Sequence, residues 1–99
     1  MSDEDLQIRQ VWKFPLALRY QQAVSMPRGA RILTVQMQEE ALCLWALCNI
    51  QSEPRSRVIA ILATGESAPG MCDLKYISSF QQRGGEYVFH AFEIVDAEP

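Results

Sequence analysis

Between Gln7 and Val95 apolar and polar residues alternate with a period of two, in short runs broken by Pro, Gly, Asn or paired charges. That is the pattern of half-buried β-strands, whose side chains point alternately to either face. The first run, Ile8 to Leu16, sets Ile8, Trp12, Phe14 and Leu16 on one face and Arg9 and Lys13 on the other. Pro15 near its end suits an edge strand, where a missing N–H costs no ladder bond. A polar run, Tyr20 to Met26, leads into Met26-Pro27-Arg28-Gly29, whose Pro at the second and Gly at the fourth position predict a type I turn. The next strand is expected from Ala30. Along Arg31 to Gln38 it should turn Leu33, Val35 and Met37 to one face and Thr34, Gln36 and Gln38, a polar ridge, to the other.

Glu39-Glu40 reads as an exposed hairpin tip before ALCLWALCNI (Ala41 to Ile50), which is apolar at both parities. RVIAILAT (Arg57 to Thr64) has the same character, after a linker Gln51 to Ser56 that contains Pro54. Thr64 to Asp73 is the longest irregular segment, the kind of loop on which function is carried. Leu74 to Phe80 pairs with Glu86 to Val95 across Gln81 to Gly85, where Gly84-Gly85 can supply positive φ. Two stretches, Glu39 to Asn49 and Ala17 to Ser25, also admit a helical reading, because period alone does not separate short apolar helices from strands.

The pattern therefore predicts an all-β domain over residues 7–95, a small antiparallel β-sandwich or partly open barrel of six to seven strands, between acidic tails at 1–6 and 96–99. Two successive strands apolar on both faces ask for a cover on each side. A second copy of the chain would provide one, so a homo-oligomer, dimer or larger, is expected, with a twofold dimer the commonest case. The chain's own linkers and the Ala17 to Ser25 segment are the alternative cover.

At 99 residues and 48% apolar the chain can build one core, and it is too short for a paired nucleotide-binding fold or a TIM barrel. Its net charge of -3 is misleading, since Asp3, Glu4, Asp5, Asp96 and Glu98 all lie in the tails. From Leu6 to Val95, nine basic residues face seven acids, a net of +2, and seven of the nine are arginine. Arginine's planar fork suits phosphates and carboxylates, so a small anionic ligand fits, whereas tracking duplex nucleic acid needs a clustered basic stripe and a high pI.

Three cysteines without a framework pattern point to a reducing compartment. Cys43 and Cys48, five apart on one strand, are roughly 16 Å apart and face opposite ways, so they cannot bridge. Neither CxxC nor a Cys/His cluster is present, and no metal or cofactor is expected. The N-terminus, MSDEDLQIRQ, is acidic where a signal peptide is basic and then apolar. The longest apolar stretch, Ala41 to Cys48, is far short of the about 20 residues that span a membrane. A cytoplasmic protein without membrane contact is expected.

Trp12-Lys13-Phe14, Met26-Pro27 with Gly29-Ala30 and Ile32-Leu33, Val35-Gln36 with Gln38, and Leu42-Cys43-Leu44-Trp45-Ala46-Leu47 are followed by Thr64-Gly65, Tyr76-Ile77, Phe80-Gln81, Gly84-Gly85, Val88-Phe89-His90 and Phe92-Glu93. In this order and spacing the chain resembles a family of small proteins encoded by bacteriophages and prophages and catalogued as a domain of unknown function. The similarity runs from Val11 to Glu93. It departs from the family at Ala63-Thr64-Gly65, where the family reads Gly-Thr-Gly, and at Tyr76-Ile77-Ser78-Ser79-Phe80, where it reads Tyr-Ile-Gly-Thr-Phe. Small accessory phage proteins often oppose host defence by blocking a protein complex or by sequestering a nucleotide signal, an analogy rather than a derivation.

His90 is the single histidine, which rules out a two-histidine metal site and means that any Ser-His-Asp arrangement must use it. It shares a strand face with Val88, Phe92 and Ile94. The first reading of His90 is a hydrogen-bonded structural imidazole, and of Trp12 and Trp45 core aromatics. Cys72, in the loop beside Asp73, reads as the exposed thiol, but a neighbouring carboxylate disfavours a thiolate. Neither GxxxxGK[ST] nor GxGxxG occurs.

The functional expectation is a non-enzymatic phage-type binding protein, specifically a counter-defence protein that sequesters a small anionic nucleotide. Arg28, Arg31 and Lys13 would meet phosphates, Trp12 or Trp45 would stack a base, and Gln36, Gln38, Thr64 and His90 would supply hydrogen bonds. The alternative is an inhibitor of a host defence complex (anti-CRISPR-like), docking through an acidic terminus or an exposed strand. A small hydrolase stands third.

Overall fold

Neither segment that admits a helical reading is helical: 39–49 is a turn followed by a strand, and 17–25 a bend followed by a strand. The computed structural model describes residues 8–70 and 72–95, and the acidic tails expected at 1–6 and 96–99 lie outside them. In chain order the strands are β1 (Arg9–Leu16), β2 (Gln21–Pro27), β3 (Arg31–Gln38), β4 (Ala41–Asn49), β5 (Pro54–Ala63), β6 (Asp73–Gln82) and β7 (Tyr87–Val95). They form two antiparallel sheets, β1-β4-β3 and β2-β5-β7-β6, stacked as a sandwich that does not close into a barrel.

Alternation builds the core. From β4, Leu44, Ala46 and Cys48 point at the four-stranded sheet and meet Met26, Ile59, Ile61, Phe80 and Ala91 from it. Each such side chain contributes about 1.5–3 kcal/mol by leaving water, apart from the smaller alanines. Val35 and Met37 of β3 point the same way, but Leu33 does not. A register shift between Ile32 and Thr34 leaves Leu33 exposed and gives its place to Ile32. The bulge adds a residue, so the inward parity expected from Leu33 moves by one.

Turn chemistry also corrects the sequence reading. The turn after β2 spans Pro27 to Ala30, closed by Ala30 N–H donating to Pro27 O at 3.0 Å, one residue later than predicted. Gly29 takes φ +78, the conformation that a type II turn requires of its third residue. Strand β5 starts at Pro54, inside the expected linker, because Pro is tolerated as a first strand residue. Beyond β6, Arg83–Gly85 form a single 3-10 turn with Gly84 and Gly85 at positive φ.

Within one copy of the chain, β4 and β5 find a packed layer on one face only. Each packs on the opposite sheet through that face. Its other face is screened by flanking strands, β1 and β3 for β4, β2 and β7 for β5. This suffices to bury Cys43, Ala60 and Leu62 on outward-facing positions, while Trp45 and Leu47 stay half-buried. Residues 17–25 supply no lid, since most of them enter the edge strand β2.

The two sheets are clasped along one side of the sandwich by a side chain. Ser78 Oγ accepts from Val35 N–H at 2.9 Å and donates to Val35 O at 2.8 Å, so one hydroxyl serves both peptide groups of a fully buried residue on the edge strand β3. Ser78 reaches it because a second register shift, between Tyr76 and Ser78, displaces it within β6. We expect Ser78→Ala to orphan both groups and to cost about 2–4 kcal/mol, read as a lowered urea midpoint. An unchanged midpoint would show that water replaces the clasp.

Candidate functional site

The outward face of the three-stranded sheet gathers the basic residues. The register sets Arg9 beside Asn49, Val11 beside Leu47 and Lys13 beside Trp45 on one flank of β4, with Arg31 beside Leu47 and Thr34 beside Trp45 on the other. Period two then places Arg9, Arg31, Lys13, Leu47 and Trp45 on one surface.

At one end of this face, Arg28 reaches from the Pro27 to Ala30 turn to meet Arg9 and Arg31. A cleft of about 300 Å³ lies between them, completed by Gly29, Leu47, Asn49 and Ser52. Among the described residues no carboxylate belongs to its lining. Arg28 Nη1 stands 3.9 Å from Glu53, whose carboxylate is taken at 2.9 Å by Arg55 instead. Among the described residues neither Arg9 nor Arg31 forms an ion pair.

The turn that carries Arg28 is held from below. Arg28 N–H donates to Glu53 O at 2.7 Å, and Arg57 Nη1 donates to Ala30 O at 2.9 Å. Arg57 is itself gripped by Glu93, the one buried charged residue among those described. Arg57 Nε donates to Glu93 Oε2, and Nη2 donates to Oε1 at 3.1 Å. This bidentate pair crosses from β5 to β7 on the inner face of the four-stranded sheet and fixes where Ala30 lies.

Further along β4, Trp45 is half-buried between Lys13 and Thr34. Lys13 Nζ donates to Gln38 Oε1 at 2.7 Å, and Gln36 Nε2 donates to Thr34 Oγ1 at 3.1 Å and to Ser79 O at 3.4 Å. The two glutamines expected to read a ligand are thus already engaged within the protein. Trp12 is on the opposite face of the sheet from Trp45. It is partly exposed rather than core, its Nε1 donates to Gln10 Oε1 at 2.9 Å, and with Phe14, Met26 and Pro27 it lines an apolar cleft of about 310 Å³.

Thr64 and His90 sit elsewhere again, on the outward side of the four-stranded sheet. His90 Nε2 is 2.8 Å from Thr64 Oγ1, His90 Nδ1 is 2.8 Å from Ser79 Oγ, and Ser79 Oγ is 2.9 Å from Tyr76 Oη. Ser79 and Tyr76 were not singled out from sequence. The hairpin register that sets Ser79 opposite His90 is the signal that finds them. The nine candidates therefore do not form one pocket. Arg28 and Arg31 meet in the cleft with Arg9 added, Lys13 and Trp45 continue the same face, and Trp12, Thr64 and His90 lie apart.

A serine beside a histidine suggests acyl transfer, but no carboxylate orients this imidazole, and Ser79 and His90 line neither cleft described above. Burial pushes the Cys48 thiol up, against a smaller downward pull from Arg57. Cys43 is buried, and Cys72 is half-buried rather than exposed. Among the described residues no three His, Cys, Asp or Glu side chains gather as a metal site would require.

The sequence profile of the family described as Domain of unknown function (DUF7352) matches residues 7–99. The chain belongs to that family. Comparison with curated proteins and with solved structures gives no match.

Breaking the Arg57–Glu93 pair in this DUF7352 domain leaves one charge stranded. Glu93→Gln should lower stability by about 2–4 kcal/mol, and Arg57→Met with Glu93→Leu should recover part of the loss, because one stranded charge costs more than two apolar side chains. Guanidinium unfolding of the three proteins measures this. Equal stabilities would show the pair to be no more than a surface contact.

Proposed function

We propose that the protein is a non-enzymatic binding protein that sequesters a small anionic nucleotide on the outward face of its three-stranded sheet. The observation that carries this reading is the meeting of Arg9, Arg28 and Arg31 around one cleft that no carboxylate among the described residues lines, on the same surface as Trp45. Three like charges with only the exposed Glu53 beside them, itself shared with Arg55, repel, and an anion turns that repulsion into charge-assisted hydrogen bonds. Phosphate suits the planar forks of three arginines, and Asn49 and Ser52 add neutral partners.

The spacing fits the rest of a nucleotide. Leu47 and Trp45 are successive outward residues of β4, so the indole lies about 7 Å beyond the cleft wall, the reach from a phosphate across its sugar to the base. Stacking on an aromatic supplies about 1–3 kcal/mol per base and tolerates any base. Lys13 beside Trp45 can meet a second phosphate. Among the described residues the cleft lining holds no His, Cys, Asp or Glu, which favours retention of the ligand over turnover. With the resemblance to phage-encoded proteins, retention of a nucleotide signal reads as counter-defence in the cytoplasm of a bacterial host.

A second reading uses the same surface. A basic face with exposed Val11 also complements an acidic patch on a host protein complex, which would make the chain an inhibitor.

Calorimetry against mononucleotides and cyclic di- and trinucleotides tests the first reading. At least one should bind, with Arg31→Ala and Arg28→Ala each weakening it about tenfold or more and Trp45→Ala weakening it comparably. Affinity should fall as salt rises. Absence of heat throughout the panel, or binding indifferent to all three substitutions, would overturn the site. Conversion of the bound nucleotide would overturn its non-enzymatic character.

A further inference from the structure

The opposite side of the sandwich has the contrary chemistry. By the register, the outward residues of β2, β5, β7 and β6 include no Asp, Glu, Lys or Arg. The middle of this surface is apolar, built from Val58, Ala60, Leu62, Phe92, Ile94 and the exposed ring of Tyr76. In a chain of which 21% is charged, a four-stranded face without one charge is a departure that a solvated surface does not require.

The polar groups around His90 are also satisfied from within. Tyr76, Ser79, His90 and Thr64 form one hydrogen-bonded chain, which ends where Thr64 Oγ1 donates to Val88 O at 3.3 Å. Both imidazole nitrogens are engaged by hydroxyls of the same protein. This part of the face can be covered without orphaning a side-chain donor or acceptor, while the side chains of Gln21, Ser25, Ser56 and Gln81, unpartnered among the described residues, lie toward its rim.

We propose that this face is a homodimer interface, the four-stranded sheets of two copies stacking back to back about a twofold axis. Four strands spaced about 4.8 Å and up to ten residues long at about 3.3 Å each present a flat area of roughly 600 Å². A twofold pair then buries on the order of 1,200 Å², the lower bound of stable specific interfaces. The same patch on both partners is what an isologous contact needs, and apolar sheets stack face to face in just this manner. The chain's own ends are poorer occupants, since Asp3, Glu4, Asp5, Asp96 and Glu98 would bring carboxylates onto an uncharged surface. The dimer leaves the arginine cleft outward on both copies.

Light scattering and sedimentation of the full chain at about 100 μM, above the micromolar dissociation constants that interfaces of this size reach, give the test. The expected mass is twice that of the 11.2 kDa chain. Tyr76→Arg and Val58→Arg should each return the monomer with an unchanged far-ultraviolet spectrum. Leu33→Arg, exposed on the other sheet, should leave the dimer intact. A wild-type monomer overturns the proposal and passes the face to a different protein. A dimer unaffected by either substitution on this face overturns it as well.

Discussion

A single ion pair links the interior of this sandwich to the surface where ligand chemistry gathers. Arg57 and Glu93 lie on the inner face of the four-stranded sheet, where a lone charge would be costly and a bidentate pair offsets much of that cost. The same guanidinium donates from Nη1 to Ala30 O, so the position of the β2–β3 turn follows from the geometry of the pair. Gly29 can then bend the chain at positive φ and send Arg28 and Arg31 outward. A group of three arginines on the surface thus has its origin in a carboxylate buried beneath it.

On the other flank, Ser78 performs a related task by different means. There a hydroxyl replaces a ladder rung between the edges of two sheets, and it can do so because both edge strands slip register nearby. The two devices hold the sandwich without closing it. Both place polar atoms where the apolar core ends, so neither leaves an unpaired group behind.

The outer faces divide two kinds of work. One concentrates guanidinium groups around a cleft beside an aromatic ring. The other removes formal charge and ties the polar atoms around His90 into one hydrogen-bonded chain. The first is suited to a small anion and sensitive to salt, the second to an extended apolar contact and indifferent to salt. Because they lie on opposite sides of a slab only 16 Å thick in its shortest dimension, both can act at once.

Period-two alternation, the Glu39-Glu40 tip and the Gly84-Gly85 turn were sufficient to specify an all-β chain, its strands to within about three residues, the β3–β4 and β6–β7 hairpins and the edge position of β1. These are local properties, set by sterics and by which side of a strand a residue occupies. Double-sided apolar strands were also legible in ALCLWALCNI and RVIAILAT, but that pattern marks a strand inside a sheet, not a strand between two layers. Which runs become neighbours is decided only when the sheets assemble. That is why Arg9 joins Arg28 and Arg31, why Trp12 and Trp45 part to opposite faces, and why Ser79 completes the partners of His90. Bulges at Leu33 and Ile77 shift parity by one residue, and a bulge depends on the strand opposite it. Alternation along a chain fixes faces, whereas a site needs residues distant in sequence to share one, and strand order alone determines that.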